Sequence, residues 1–91
     1  MPPSYSYQTL IFSDEFFETY GEFGRADRAR FRKAMRLLDT DEKHPSLRVH
    51  ALKGPIEGTW SASASDELRM TFERLPDGKK AMLTCSRHYD R

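Results

Sequence analysis

The sequence predicts one α+β domain in which two helices cover one face of a largely antiparallel sheet. Apolar residues recur every three or four positions between residues 14 and 41, which is typical of amphipathic helices. Between residues 47 and 86 apolar and polar residues alternate instead, which is typical of half-buried strands. A chain of 91 residues is too short for two independent cores, so residues 1–91 are expected to form a single domain.

The N-terminal half predicts a strand and then a helical hairpin. Tyr7 to Phe12 is an apolar run of strand length, and Ser13 after it is a typical N-cap residue with acidic residues in the following turn. A second, longer helix is expected from Arg25 to about Asp41, ended by His44 and Pro45. Its apolar stripe comprises Phe31, Ala34, Met35 and Leu38. A basic stripe comprises Arg25, Arg28, Arg32 and Arg36, which favours a solvated face over a clamp on RNA phosphates.

The C-terminal half predicts the remaining strands. The alternating segments are Leu47–Leu52, Thr59–Ser65, Leu68–Glu73 and Ala81–Ser86. The last two are joined by "LPDGKK" at residues 75–80, a turn signal centred on Asp-Gly. Side chains alternate along a strand, so one set of residues is expected in the core and the other on the face without helices. The core set comprises Leu47, Val49, Trp60, Leu68, Met70 and Phe72. The opposite set comprises Arg48, His50, Ser61, Ser63, Arg69 and Thr71.

Composition excludes several classes of protein. The formal net charge is +1, which by itself neither indicates nor excludes a nucleic-acid partner. No apolar run approaches the roughly 20 residues that span a bilayer. The single Cys85 cannot form an internal disulfide, and the first residues lack the pattern of a secretory leader, so a cytoplasmic location is expected. The three histidines have no compact metal-ligand spacing and there is no glycine-rich phosphate loop, so no metal or cofactor is expected.

Three side chains on the open face suit the cleavage of RNA without a metal. His50, Arg69 and His88 come from different strands or strand ends, and strand parity allows all three to reach the same side of the sheet. A neutral imidazole can take the proton of a ribose 2′-hydroxyl, and a guanidinium can hold the phosphorane. A second, protonated imidazole can then protonate the leaving 5′-oxygen.

Each of these residues also has a structural interpretation. A histidine at a strand end is more often a surface residue, and Arg69 could form a surface ion pair with Glu67 or Glu73. Tyr89 could pack at the C-terminus or stack on a base. Cys85 is expected to be a small buried strand residue.

Two segments resemble the RelE/ParE superfamily of bacterial toxin–antitoxin toxins, and most closely its YoeB-like and YafQ-like messenger-RNA interferases. They are "HALKGPIEGTWSASASDELRMTF" and "MLTCSRHYDR". The resemblance implies a RelE-like fold, phosphate stabilisation by Arg69, and a catalytic C-terminus with His88 as general acid and Tyr89 as the substrate-positioning residue. His50 stands where YafQ-like toxins carry a histidine, which implies a general base. Arg48, Lys53 and Arg87 complete the expected set as RNA contacts.

The resemblance also implies a function and partners. The expected activity is ribosome-dependent cleavage of messenger RNA in the A site, and the expected protein partner is a cognate antitoxin. The oligomeric state stays open between a homodimer and a toxin–antitoxin hetero-oligomer. The alternative is a ParE-like toxin that inhibits DNA gyrase, although a gyrase-binding surface has no need of the two proton-carrying groups His50 and His88. A third possibility is an inactive relative that only binds an antitoxin.

Overall fold

Among the residues that the structure describes, five strands form one sheet and two helices pack on one of its faces. A computed structural model describes residues 6–54 and 58–87. The sheet order is first, fifth, fourth, third, second; the first and fifth strands are parallel and the other pairs antiparallel. The predicted α+β class is confirmed. The elements in chain order are β1 (Leu10–Phe12), α1 (Asp14–Gly21), α2 (Arg25–Thr40), a 3₁₀ turn (Pro45–Leu47), β2 (His50–Ala51), β3 (Thr59–Ser63), β4 (Leu68–Arg74) and β5 (Lys80–Arg87).

The helices begin as the sequence predicts. The Ser13 hydroxyl oxygen accepts a hydrogen bond from the Phe16 N–H at 3.0 Å, which caps α1. The predicted stripe of α2 is buried in full, and it contains Phe31, Ala34, Met35 and Leu38. However, α2 ends at Thr40, before the predicted stop, because Asp41 leaves the helical region with φ −150° and ψ 67°. Pro45 instead begins the 3₁₀ turn.

The predicted arginine stripe of α2 divides into two pairs with different roles. Arg28 donates to the Phe23 carbonyl oxygen and Arg32 donates to the Tyr20 hydroxyl, both at 2.9 Å, so these half-buried arginines join α2 to α1 and the turn after it. Arg25 and Arg36 are exposed. Half of the stripe therefore stabilises the helical hairpin.

One face of the sheet carries the core and the other remains without helices. The buried residues on the helical side of the strands are Leu10, Ala62, Leu68, Met70, Phe72, Met82 and Cys85. The predicted burial of Cys85 is confirmed, and burial raises the pKa of its thiol far above the ordinary value. We call the side without helices the open face.

Three expectations for the strands need correction. The predicted strand Leu47–Leu52 is reduced to His50–Ala51, because Leu47 closes the 3₁₀ turn and Arg48 is left-handed with φ 46° and ψ 46°. Trp60 packs against the core but is only partly buried, and the Arg74 guanidinium stacks on its ring at 4.2 Å from the centroid. Ser61 and Ser63 do point away from the core, but each is only 4% exposed.

Charged side chains tie the N-terminal segment and the end of α2 to the sheet. The Asp39 carboxylate accepts the backbone N–H groups of Gln8 and Thr9, the latter at 2.7 Å. Burial alone would raise the pKa of Asp39, but these hydrogen bonds and the Lys80 charge outweigh it and hold the pKa below its usual range. Within the part of the chain that the structure describes, no helix is long and apolar enough to cross a membrane.

A second charged cluster joins the loop after α2 to the sheet. Glu42 accepts hydrogen bonds from Arg74 and forms an ion pair with the buried Lys80 at 3.4 Å. The hydrogen bond from Arg74 lowers the pKa of Glu42 below its usual range, against the opposing effect of burial. The carboxylate is therefore most stabilising in its charged form.

Candidate active site

His50 lies on the open face with one ring nitrogen held by the main chain. Its Nδ1 is 2.8 Å from the carbonyl oxygen of Arg48. A carbonyl oxygen can only accept, so Nδ1 carries the proton, and in the neutral imidazole the lone pair lies on Nε2. Because β2 pairs with β3 so that His50 lies opposite Ser61, the ring is aligned with the row of side chains that crosses the open face. The geometry suits a general base.

Arg69 lies on the same face and is tethered to the turn between β3 and β4. Its Nη1 donates to the carbonyl oxygens of Ser65 at 2.8 Å and Leu68 at 3.2 Å. The alternative of an ion pair with Glu67 or Glu73 is not what the structure shows, since no carboxylate of residues 6–54 and 58–87 pairs with Arg69. The rest of its guanidinium is available to an anion.

His50 and Arg69 line one cavity of about 280 Å³. The other lining residues are Leu52, Ser61, Thr71, Ser86 and Arg87. The register explains the convergence, because His50 lies opposite Ser61, which lies opposite Thr71, while Arg69 is two residues from Thr71 on the same strand. Two of the three predicted catalytic groups therefore meet in one cavity on the open face.

Hydroxyl groups form the polar surroundings that the sequence did not single out as a site. The Thr71 and Thr84 hydroxyls are 2.6 Å apart across β4 and β5, and Ser86 lies opposite Arg69. Such groups can donate hydrogen bonds to phosphate or ribose oxygens. Strict alternation from the buried Met82 would place Thr84 and Ser86 on the helical side, so the sequence pattern gave no signal for them.

The three predicted RNA contacts lie in different surroundings. The Arg48 side chain is 61% exposed and pairs with Asp66 at 3.3 Å, outside the cavity of His50. Lys53 is exposed and directly follows the cavity residue Leu52. Arg87 pairs through its guanidinium with Asp27 of α2 at 2.7 Å and Glu67 at 2.8 Å, although it also borders the cavity.

His88 and Tyr89 lie outside the described residues, so their predicted roles stay predictions. The described part of β5 ends at Arg87, directly before them in the chain and beside the cavity of His50. Among residues 6–54 and 58–87, no group of three or more His, Cys, Asp or Glu side chains could hold a metal ion.

Comparison with known proteins gives matches in structure only. No family model matches the sequence, and no curated protein is a significant match. A chain of the toxin–antitoxin complex RelBE2 from Mycobacterium tuberculosis has 16% identity and a TM-score of 0.73, with 88% of this chain and 96% of that chain covered. YafQ from Escherichia coli has 16% identity and a TM-score of 0.71 over 86% and 90% of the two chains.

A third solved structure is matched over its full length by this chain. A chain of the YoeB–YefM complex from Staphylococcus aureus has 19% identity and a TM-score of 0.70, over 92% of this chain and all of that chain. The chain has the RelE-like toxin fold. In this RelE-like fold the helices occupy one face of the sheet, and the cavity with His50 and Arg69 lies on the other. The fold class expected from the resemblance is confirmed.

Proposed function

We propose that this protein is the toxin of a bacterial type II toxin–antitoxin system and cleaves messenger RNA on the ribosome. One observation supports this most directly: His50, whose Nδ1 lies 2.8 Å from the Arg48 carbonyl oxygen, shares an open-face cavity with Arg69 within a RelE-like fold. Attack by a 2′-hydroxyl on the adjacent phosphate requires a group that accepts the hydroxyl proton and a nearby cation that stabilises the negative charge on the phosphate.

The proposed reaction needs no external cofactor. Nε2 of His50 takes the proton of the 2′-hydroxyl while the 2′-oxygen bonds to phosphorus, and Arg69 stabilises the negative charge of the phosphorane. The bond from phosphorus to the 5′-oxygen then breaks, and His88 supplies the proton to that oxygen. The products are a 2′,3′-cyclic phosphate and a 5′-hydroxyl end. Tyr89 would position the neighbouring nucleotide by stacking.

The proposed partners follow from the charge and from the solved relatives. A net charge of +1 is small for a protein that would align RNA through phosphate contacts alone, so the ribosome is proposed to supply substrate alignment, which would place the activity in the cytoplasm. Two similar structures are complexes with a second protein, RelBE2 and YoeB–YefM, which supports a cognate antitoxin as protein partner here.

Primer-extension mapping of messenger ends tests the proposal. His50→Ala should lower cleavage by about 10²–10⁴-fold, the usual contribution of an acid or base, and His88→Ala should do the same. Lys79→Ala is the control, because Lys79 is exposed between β4 and β5 and lies outside the cavity. Circular dichroism checks that each variant folds.

Two results would contradict the proposal. Full cleavage by both His50→Ala and His88→Ala would remove the assigned roles. Growth inhibition with intact messenger and a DNA-damage response would favour the ParE-like alternative, a toxin that binds DNA gyrase.

A further inference from the structure

The structure contains a second basic cavity next to the candidate active site. It lies between α2 and the β3–β4 turn and has a volume of about 370 Å³. We call it the α2 groove, and its lining includes Arg30, Lys33, Leu37, Ser46, Arg48 and Ser65. We propose that the α2 groove binds the phosphate backbone of the RNA strand next to the scissile phosphate. This inference rests on the proposed function.

The charge of the chain is concentrated on α2. Residues 25–40 hold six Lys/Arg and two Asp/Glu, which gives a net charge of +4. The rest of the chain holds nine Lys/Arg and twelve Asp/Glu, which gives a net charge of −3. The exposed cations of α2 are Arg25, Arg30, Lys33 and Arg36. Both acidic residues of α2 are only half-exposed. Asp27 forms an ion pair with Arg87, and Asp39 accepts hydrogen bonds from the N-terminal segment. The outer surface of α2 is therefore positive, which suits a polyanion.

Three cations border the groove itself. Lys33 has no carboxylate within ion-pair distance among residues 6–54 and 58–87. Arg30 shares its partner Asp27 with Arg87, so that single carboxylate faces two guanidinium groups. Arg48 pairs at 3.3 Å with the 90% exposed Asp66, which also lines the groove, so three cations stand against this one lining carboxylate and Asp27. The local charge is thus positive.

The cations and serine hydroxyls of the groove, with few accessible apolar side chains, favour phosphate over an acidic protein helix. A helix that docks in a groove needs accessible apolar side chains. Of the apolar groove residues, Leu47 is fully buried and Ala34 is 4% exposed, so Leu37 and Ala64 provide most of the apolar contact. Serine hydroxyls lie among the cations instead, and hydroxyls together with Lys and Arg are the usual contacts to phosphate.

The groove is connected to the candidate active site through two hydrogen bonds from side chains to main-chain carbonyl oxygens. The Ser65 carbonyl oxygen accepts from Arg69, and the Arg48 carbonyl oxygen accepts from His50. Ser65 and Arg48 both line the α2 groove, while Arg69 and His50 line the catalytic cavity. An RNA strand whose scissile phosphate contacts Arg69 can therefore continue past the β3–β4 turn into the groove.

The salt dependence of RNA binding tests the inference. The probes are two 2′-O-methyl RNA oligonucleotides, which cannot be cleaved: a short one that spans only the catalytic cavity and a longer one that extends beyond it. The variant Arg30→Gln/Lys33→Gln removes two groove cations, and Lys43→Gln/Lys79→Gln removes two exposed cations that do not line the groove. A single-strand contact contributes about 0.7 to the slope of log K against log salt, so two contacts contribute about 1.4.

The expected result is specific to one variant and one probe. For the longer RNA, the loss of affinity between about 50 and 200 mM salt should be about sevenfold smaller for Arg30→Gln/Lys33→Gln than for the unmodified protein. The short RNA should show no such difference, and Lys43→Gln/Lys79→Gln should behave like the unmodified protein with both probes.

Three outcomes would overturn the groove assignment. The first is an unchanged slope for Arg30→Gln/Lys33→Gln with the longer RNA, and the second is no RNA binding by the unmodified protein. The third is a variant Arg30→Gln/Lys33→Gln that loses binding to a polyglutamate peptide but not to RNA, which would assign the groove to an acidic protein. The cleavage assay with His50→Ala is independent of these readouts. Cleavage that depends on His50 with an unchanged slope would leave the proposed function standing and remove only the groove.

Discussion

The left-handed conformation of Arg48 is predicted to hold His50, the proposed general base, in the tautomer whose Nδ1 carries the proton. With φ 46° and ψ 46°, this residue directs its carbonyl oxygen to Nδ1 of His50. The left-handed region costs an ordinary L-residue about 1–2 kcal/mol, is worse for a β-branched residue, and is tolerated by Asn. Arg48→Val should therefore lower the free energy of unfolding by about 1–2 kcal/mol relative to Arg48→Asn. Both variants lack the guanidinium, so the comparison isolates the backbone.

The catalytic consequence follows from the loss of one hydrogen bond. If the backbone at position 48 relaxes in the Arg48→Val variant, Nδ1 of His50 loses its acceptor, and a neutral hydrogen bond is worth about 0.5–1.5 kcal/mol. Cleavage at saturating RNA should then be about 2- to 13-fold slower in Arg48→Val than in Arg48→Asn.

Three measurements check this prediction. Urea denaturation gives the difference in stability, and the cleavage rate gives the difference in activity. The ¹⁵N chemical shifts of the His50 ring should show a protonated Nδ1 in Arg48→Asn and a mixture of tautomers in Arg48→Val. Equal stability, equal rates and identical ring shifts in the two variants would show that the conformation of residue 48 does not set the tautomer of His50.

Three further predictions concern the fold. The pKa of Glu42 is lowered in the folded state, so its charged form stabilises the fold fully above the unfolded pKa near 4.5, and this stabilisation is lost as the pH falls through the folded pKa. The urea midpoint should therefore drop less between about pH 7 and about pH 3 in Glu42→Gln than in the unmodified protein. An equal drop in the two proteins would contradict this. Burial raises the pKa of Cys85, so a disulfide reagent should modify it only as fast as the protein unfolds, and modification at the rate of a free thiol would show that the strand opens readily. Gly78→Ala should lower the free energy of unfolding by about 1 kcal/mol, because φ is 89° at this position. Gly21→Ala should not destabilise the protein, because Gly21 lies in the last turn of α1 with open space around it. Thermal melts that show equal destabilisation by the two substitutions would contradict this prediction.

Periodicity predicted the parts of the fold that depend on burial alone. The stripe of α2 and the alternation of β4 are repeated patterns, and each buried residue reinforces the same arrangement. The segment Leu47–Leu52 has the same alternation but forms only two strand residues. There the local geometry prevails, because Pro45 begins a 3₁₀ turn and Arg48 reverses the sign of φ.

The candidate site was predictable where strand parity holds. His50 and Arg69 were placed on the open face by alternation, and the structure brings them into one cavity. The Arg48 carbonyl was missed because it is a main-chain group whose direction depends on a conformation that the sequence does not encode in its pattern. Asp27, the partner of Arg87, was missed because it lies on α2, far away in the chain.

A bulge decides which side chains of β5 reach the site. Thr71 lies opposite Thr84 and Phe72 lies opposite Met82, so Leu83 is an extra residue between the two pairs. Met82 and Cys85 can therefore both be buried although three positions separate them, and an uninterrupted strand would direct them to opposite faces. The same extra residue places Ser86 opposite Arg69 on the open face and Arg87 opposite Leu68 on the helical face, where Asp27 neutralises it. One inserted residue, Leu83, therefore decides that Ser86 and not Arg87 points to the open face. The alternation of the sequence alone does not decide this.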